Sequence, residues 1–501
     1  MNPSGLFLAI DQSTSSTKAM LFTPDGKLLD QESLSHDQIY PNAGWVEHDA
    51  EEIFSNTLKT ASTLLQRHTD QWNNLLAVSI TNQRETFVLF DRETGQPLYN
   101  AIVWQCRRGD DFCKQLVSAG KEDIVHELTG LKIDTYFPAS KLRWLLDARS
   151  DLRAKLKDGS ALFGTIDTYL IYRLTGGKVY ATDHTNASRT LFYDIEKLGW
   201  SQELCKIFGL EFGESPDVRE SSAWYGDTDL GGCLNRRIPI CGVMGDSQAA
   251  LFAQRCFAPG GAKVTFGTGS SVLLNIGHEK RLSVHGTVTA LAWVFQGQPT
   301  YAFEGIINFT GATISWLRDQ LQLIADPAET ETLAQSVSDS DGVYFVPAFV
   351  GLSAPYWRAD ARAAILGMTP STTRAHVIRA ALESIGYIVT DVLKAMGEEA
   401  GVKLNTIHAD GGAVRNAFLM QFVSDMNQLK VRAAQTPELS ALGAVFNGCL
   451  GLKIYSSLDD LKKLPFGFTE YRSSMSSVRA SELFAGWQAA VQQVLYQPKQ
   501  G

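Results

Sequence analysis

Three short polar or glycine-rich segments and one carboxylate carry the chemistry this sequence offers. Asp11-Gln12-Ser13-Thr14-Ser15-Ser16-Thr17-Lys18 supplies consecutive backbone N–H groups, several hydroxyls and a closing ammonium, a combination suited to a row of phosphates. Asp11 follows an apolar run and is placed to hold Mg2+ through water, because that ion sheds its hydration shell reluctantly. A plain polar hairpin loop would use the same residues. Phe266-Gly267-Thr268-Gly269-Ser270-Ser271 lets the backbone approach a phosphate closely, since Gly267 and Gly269 lack Cβ, although Gly-Thr-Gly also occurs in ordinary turns. Ala409-Asp410-Gly411-Gly412-Ala413 ends a short apolar strand and opens a helix near Arg415, which describes a nucleotide cradle or a tight strand-to-helix turn. Walker-A and dinucleotide patterns are absent. The carboxylate is Asp246, between the strand-like run 241–245 and a helical pattern over 248–257. The helix dipole keeps an acid there ionised, and a helix N-cap is the competing role.

These groups need elements to position them. The pattern predicts a strand over 6–10, the polar loop 11–18, a strand over 19–22, a turn at Thr23-Pro24-Asp25-Gly26 and a strand over 27–29. Further strands are expected at 77–80, 87–90 and 97–103, and a helix over 138–148 with Leu142, Leu145 and Leu146 at helical spacing. The second half opens in the same style, with strand 261–266, loop 267–271 and strand 272–276. Helices are expected at 312–323, 373–396, 415–426 and 437–450. Each half thus begins as a meander around a phosphate-sized loop, an internal pseudo-repeat. Pro259-Gly260-Gly261 breaks the pattern between them, giving domains 1–253 and 254–501.

The bulk properties fit. At 501 residues the chain is long for one core. A net charge of −9 without a long basic run argues against nucleic-acid or membrane-surface partners, while a phosphate site needs only local donors and a metal. The seven cysteines form no CxxC pair, so neither a disulfide framework nor a zinc site is indicated. The first residues lack a signal-peptide pattern and no apolar run reaches the ~18 residues of a membrane span, so a cytoplasmic location is expected.

An ordered set of segments resembles the FGGY carbohydrate kinases, most closely the glycerol kinase branch, nearly from end to end. It includes AIDQSTSSTK from Ala9, GWVEHDAEEI from Gly44, ITNQRET from Ile80, YNAIVWQCRR from Tyr99, TDHTNASRT from Thr182, GDSQAALFAQ from Gly245 and DGGAVRNAFLMQF from Asp410. Pro138, Lys141 and Trp144, and further on Gly367, His376, Ala380 and Glu383, occupy the family's two recognition stretches. The resemblance implies an α/β fold of two ribonuclease-H-like (actin-like ATPase) lobes with ATP, Mg2+ and a small polyol in the cleft between them. It implies that Asp246 is the general base and Asp11 the Mg2+-associated carboxylate. Ser13, Thr14, Ser15, Lys18, Thr268, Gly311, Gly412 and Asn416 then fall at nucleotide-contacting positions. Arg84, Glu85, Trp104, Tyr136 and Asp246 fall at the polyol pocket, where carboxylates accept from hydroxyls and aromatic faces cover C–H groups. A homodimer or homotetramer and closure of the lobes over substrate are also implied.

Departures bear on the substrate. Ser247 and Ser271 stand where glycerol kinases carry Gln and Phe, Ser13 replaces a loop glycine, Lys18 an arginine and Arg358 an acid. Two serines enlarge the pocket and make it more polar, which fits erythritol, threitol or a longer polyol or ketose, whereas the overall resemblance fits glycerol. The segment 230–237 partly resembles a fructose 1,6-bisphosphate loop of bacterial relatives, with surface charge as the simpler account of Arg236 and Arg237. A non-phosphorylating ATP-binding regulator of the actin-like superfamily is the reading from another class, and retention of Asp246 with the polyol set argues against it.

Overall fold

The computed structural model describes residues 5–496 except 359 and 437. Two mixed sheets face each other across a cleft. The first is built from β1 (Leu6–Gln12), β2 (Ser16–Phe22), β3 (Leu28–Ser35), β4 (Leu75–Asn82), β5 (Trp224–Thr228) and β6 (Ile238–Gly245), in the order β5-β6-β4-β1-β2-β3. The second is built from β7 (Gly261–Phe266), β8 (Ser270–Gly277), β9 (Val288–Phe295), β10 (Gln298–Ile307), β11 (Thr406–Gly411), β12 (Lys430–Ala434) and β13 (Phe468–Tyr471), in the order β9-β10-β8-β7-β11-β12-β13.

The two share a five-strand core. In each, an opening hairpin (β1–β2, β7–β8) pairs antiparallel with a third strand, while its first strand runs parallel to a later pair (β4 and β6, β11 and β12). The expected pseudo-repeat is therefore a repeat of ribonuclease-H-like topology. Every residue of β1 is buried, as its apolar run requires of a strand covered on both faces. In both sheets the carboxyl ends of the parallel strands open on the cleft, where ligands of open α/β sheets bind. Asp11 pairs with Thr81, Asn82 with Gly245, and Phe266 with Gly411.

Six helices matter for the site: α1 (Pro138–Ala148), α2 (Asp246–Ala253), α3 (Gly311–Asp319), α4 (Arg374–Ala400), α5 (Ala417–Asn427) and α6 (Leu439–Gly451). α1 has the predicted bounds, with proline in its first turn, where its missing N–H costs nothing. α2 and α6 cross between the lobes at Gly443, where a Cβ would overlap the Ala249 carbonyl oxygen. Around them Phe7, Met20 and Phe22 of the first sheet share one core with Phe252, Leu442 and Phe446.

Several expected bounds change. The polar loop 11–18 contracts to residues 13–15, because Asp11 and Lys18 are themselves a cross-strand pair. The strand expected over 97–103 survives only as Ala101–Ile102. α2 begins at Asp246 and ends at Ala253, and the cap position belongs to Gly245 rather than to the aspartate. The expected helix start at residue 437 lies outside the described residues. All seven cysteines are free. No helix among the described residues is long and apolar enough to cross a membrane.

Candidate active site

A cavity of about 830 Å³ lies between the lobes. It brings together Asp11, Asp246, Ser247, Ser271 and Gly412 of the predicted residues, and adds Lys263, Asp410 and Glu438. Asp246 sits at the first turn of α2 and accepts the Ser247 N–H at 2.6 Å. Its Oδ1 also lies 3.1 Å from Arg84 Nε. Asp246 is thereby aimed, with its side chain still 40% exposed to the cavity.

Arg84 is fixed by groups from both halves of the chain. Its Nη2 lies 2.8 Å from Glu304 Oε1 on β10, and its Nη1 donates to Gln248 Oε1 at 3.1 Å. Arg189 completes the cluster, 2.6 Å from Glu85 Oε1 and 2.6 Å from Glu304 Oε2. Burial opposes ionisation of Glu304, but Arg189 and Arg84 outweigh it and hold the carboxyl down to about 2. Glu85, next to Arg84, has φ 63°, a left-handed backbone uncommon for a non-glycine residue, and the Thr86 N–H donates to the Arg84 carbonyl at 2.8 Å. Backbone strain of this kind persists only where surroundings impose it, here through the Arg189 pair.

The aromatic wall stands beside this cluster. Trp104 and Tyr136 have ring centroids 5.3 Å apart. Burial and the nearby Glu85 carboxylate push the Tyr136 phenol far up, so it stays a neutral donor. Lys141, buried on α1, donates to the carbonyls of Val103, Trp104 and Tyr136 at 3.1, 3.3 and 3.2 Å. One ammonium thus fixes the backbone beneath both rings, a physical role for a residue of the recognition stretch.

The first polar loop is closed by hydrogen bonds of its own backbone and hydroxyls. The Ser13 N–H donates to the Ser16 carbonyl at 2.9 Å and Ser13 Oγ to the same carbonyl at 3.0 Å. Ser13 is not among the positive-φ residues, so a glycine is not required there. The Thr14 carbonyl accepts from Gln38 at 2.9 Å and lies 2.9 Å from His36 Nε2. Thr14 Oγ1 accepts from the Trp104 indole at 3.0 Å, so this hydroxyl joins the loop to the aromatic wall. Ser15 is exposed at the tip. Lys18 pairs with Glu438 at 2.6 Å, directly before α6.

On the other lobe, the Gly311 N–H donates to the Gly267 carbonyl at 3.0 Å and a Cβ on Gly311 would lie 2.7 Å from that oxygen. Only glycine allows this approach, which sets exposed Thr268 against the start of α3. Gly412 has open space where a side chain would be. Asn416 caps α5 by accepting the Leu419 N–H at 2.9 Å and donates to Thr330 at 3.2 Å. Arg236 and Arg237 spend their side chains on backbone carbonyls, including Leu75 at 2.5 Å and Asp227 at 2.7 Å, consistent with structural rather than ligand-binding use.

Burial first, then Glu438, raises the Asp11 carboxyl to about 7. No cluster of three or more His, Cys, Asp or Glu able to cage a metal occurs among the described residues. Carboxylates spread around a wide cavity, Asp11 and Asp410 buried and Asp246 and Glu438 partly exposed, fit an ion that keeps its waters and leans on phosphate oxygens.

Sequence reading missed Arg189, Glu304, Lys263 and Glu438. The usable signal was a single charge inside an otherwise apolar strand, as with Lys263 in β7 and Glu304 in β10, since such a charge needs a partner or a ligand.

Known proteins resemble this chain over both lobes. The model of the FGGY family of carbohydrate kinases, N-terminal domain, matches residues 6–253, and that of the C-terminal domain residues 262–452. Glycerol kinase of Xanthomonas campestris pv. campestris is 44% identical over 485 residues, 97% of each chain. Glycerol kinase 1 of Thermotoga maritima is 44% identical over 488 residues, 97% of this chain and 99% of its own. The structure of Plasmodium falciparum glycerol kinase with ADP superposes with a TM-score of 0.94 at 36% identity, covering 99% of both chains. Xylulose kinase of Lactobacillus acidophilus shares the fold at 20% identity, with a TM-score of 0.88 over 98% of this chain and 99% of that one. With a carboxylate held at the cavity between the lobes and family matches spanning both of them, this chain belongs to the FGGY family of carbohydrate kinases.

Proposed function

We propose that this protein transfers the γ-phosphoryl group of ATP to a terminal hydroxyl of a small polyol, with lobes 1–253 and 254–501 closing over the substrates. The observation that carries the reading is Asp246 held by Arg84, which Glu304 of the opposite sheet fixes in turn. Asp246 accepts the hydroxyl proton as the acceptor oxygen bonds to phosphorus and the bond to the bridging oxygen of ADP breaks. Arg84 and Glu85 orient hydroxyls, while Trp104 and Tyr136 cover the carbon face and exclude water. Mg2+, held by Asp11 through water, would neutralise phosphate charge. Ser13, Ser15, Lys18, Thr268, Gly311 and Gly412 border the nucleotide, while Thr14 and Asn416 shape its surroundings.

Glycerol is the substrate named for the relatives at 44% identity. A four-carbon polyol is favoured by one specific observation. Ser271 Oγ is buried beside the cavity without a hydrogen-bond partner among the described residues, and a further substrate hydroxyl would satisfy it. The test is coupled ADP release at fixed Mg·ATP with glycerol, erythritol, both threitols, pentitols and ketoses, on the protein and on Ser271→Phe. Acceptor-dependent turnover is expected, with Ser271→Phe moving kcat/KM toward glycerol by about tenfold. Glycerol exceeding every larger acceptor in the unaltered protein would end the enlarged-pocket reading, and turnover indifferent to acceptor would end the kinase reading.

A further inference from the structure

Lys263 stands out among the charged groups of the cleft. It sits in the middle of β7, is 1% exposed, and still lines the cavity together with Asp246 and Ser271. It has neither a hydrogen bond nor an ion pair within 4.0 Å among the described residues, although Asp410 and Asp246 both act on its charge. Burial lowers its pKa, those carboxylates raise it, and burial prevails. The other cations bordering this end are committed or open to solvent. Arg84 holds Asp246 and Glu304, Lys18 holds Glu438, and Arg415 is exposed.

A buried ammonium without a counter-ion is costly, and a fold that keeps one beside a large polar cavity keeps it for an anion. As a partner for Asp410 alone it is poorly placed, because Asp410 accepts from Gln254 instead and lies beyond ion-pair range. The register fixes its neighbourhood. Thr265, two residues on and on the same face of the sheet, pairs with Ser271, which borders the acceptor side. Lys263 therefore lines the same cavity as the proposed base and Gly411-Gly412 of the third loop, the space through which phosphorus would pass from donor to acceptor.

We infer that the Lys263 ammonium binds the phosphoryl group in transit, first as the γ-phosphate of the nucleotide and then as the phosphate of the product. A lysine suits this as a compact point charge that follows a moving group, where an arginine fork would favour one geometry. It gains and loses no proton. The hydroxyl proton goes to Asp246, and Lys263 offsets the charge that spreads over the phosphoryl oxygens.

This inference rests on the kinase reading and has a test independent of turnover. Calorimetry on the full chain with Mg2+ would compare a non-hydrolysable ATP analogue with ADP, in the unaltered protein and in Lys263→Met. The analogue is expected to lose at least about tenfold in affinity while ADP changes by less than about twofold, with kcat down by roughly 10²–10³. Because a buried unpaired charge is removed, the melting temperature of the variant should be unchanged or higher. Equal weakening of analogue and ADP, or weakening of neither, would overturn the assignment. Lys263→Gln gives the same comparison should the methionine variant not fold. Failure of the kinase reading would instead show as acceptor-independent ADP release by the unaltered protein, leaving the analogue-to-ADP ratio to be judged alone.

Discussion

Glu304 and Asp11 lie on opposite sides of the cleft, both almost removed from water, yet their acidities move apart. Glu304 is held down to about 2 by two arginines that outweigh its burial, whereas burial and Glu438 lift Asp11 to about 7. The acceptor side is charge-complete within the protein. Arg84, Arg189, Glu85 and Glu304 neutralise one another's charge, and Arg84 holds Asp246 at the cavity. The side proposed for the nucleotide holds a carboxylate and an ammonium, Asp11 and Lys263, whose partners in the proposed reaction are a metal ion and a phosphate. The contrast separates preorganised orientation of the acceptor from charge supplied with the nucleotide.

The comparison breaks most visibly at Glu304. Glu304→Ala removes the carboxylate shared by two buried guanidinium groups and leaves Arg84 to Asp246 and Arg189 to Glu85, so a loss of about 3–5 kcal/mol in unfolding free energy is expected, with kcat/KM for the acceptor down at least about 100-fold. Glu304→Gln should lose less stability, since a polar group remains between the two guanidinium groups. Denaturant unfolding and steady-state kinetics read both effects. A Glu304→Ala variant as stable as its parent would mean that the acceptor side is not held by this cluster.

A smaller effect sharpens the other side. The folded-state pKa of Asp11, about 7, exceeds its ordinary value of 3.8, so folding is favoured by its protonation. That contribution is full below pH 3.8 and is lost as pH rises through 7. Asp11→Asn should therefore melt a few degrees higher than the parent at pH 8 and equally at pH 4, without nucleotide. Binding of Mg·nucleotide at pH 6 should release up to about one proton in the parent and less in the variant, measured in buffers of different ionisation enthalpy. Equal proton release in both would place the titrating group elsewhere.

Much of this architecture was legible in the sequence because it is local. Apolar runs broken by small polar loops announced β1–β2 and β7–β8, and proline before a leucine periodicity gave the bounds of α1. Asp246 was legible as a carboxylate at a strand-to-helix junction. The first loop was read too long because residue polarity does not reveal that Asp11 and Lys18 pair across a hairpin. The roles of Arg189 and Glu304 were illegible for a similar reason. Glu304 meets Arg84 and Arg189 only after two lobes separated by more than one hundred residues assemble. Thr14 and Asn416 carry the hydroxyl and amide of ligand-binding loops, yet tertiary contacts turn one toward Trp104 and the other into a helix cap.

The most direct test of the account is acceptor-dependent ADP release in the unaltered protein and in Asp246→Asn, at fixed Mg·ATP with saturating polyol. Loss of the proposed base should lower kcat by roughly 10²–10⁴ while the polyol still binds, because Arg84, Glu85, Trp104 and Tyr136 remain in place. A kcat within threefold of the parent would contradict the assignment of Asp246 and with it the proposed chemistry of the cleft.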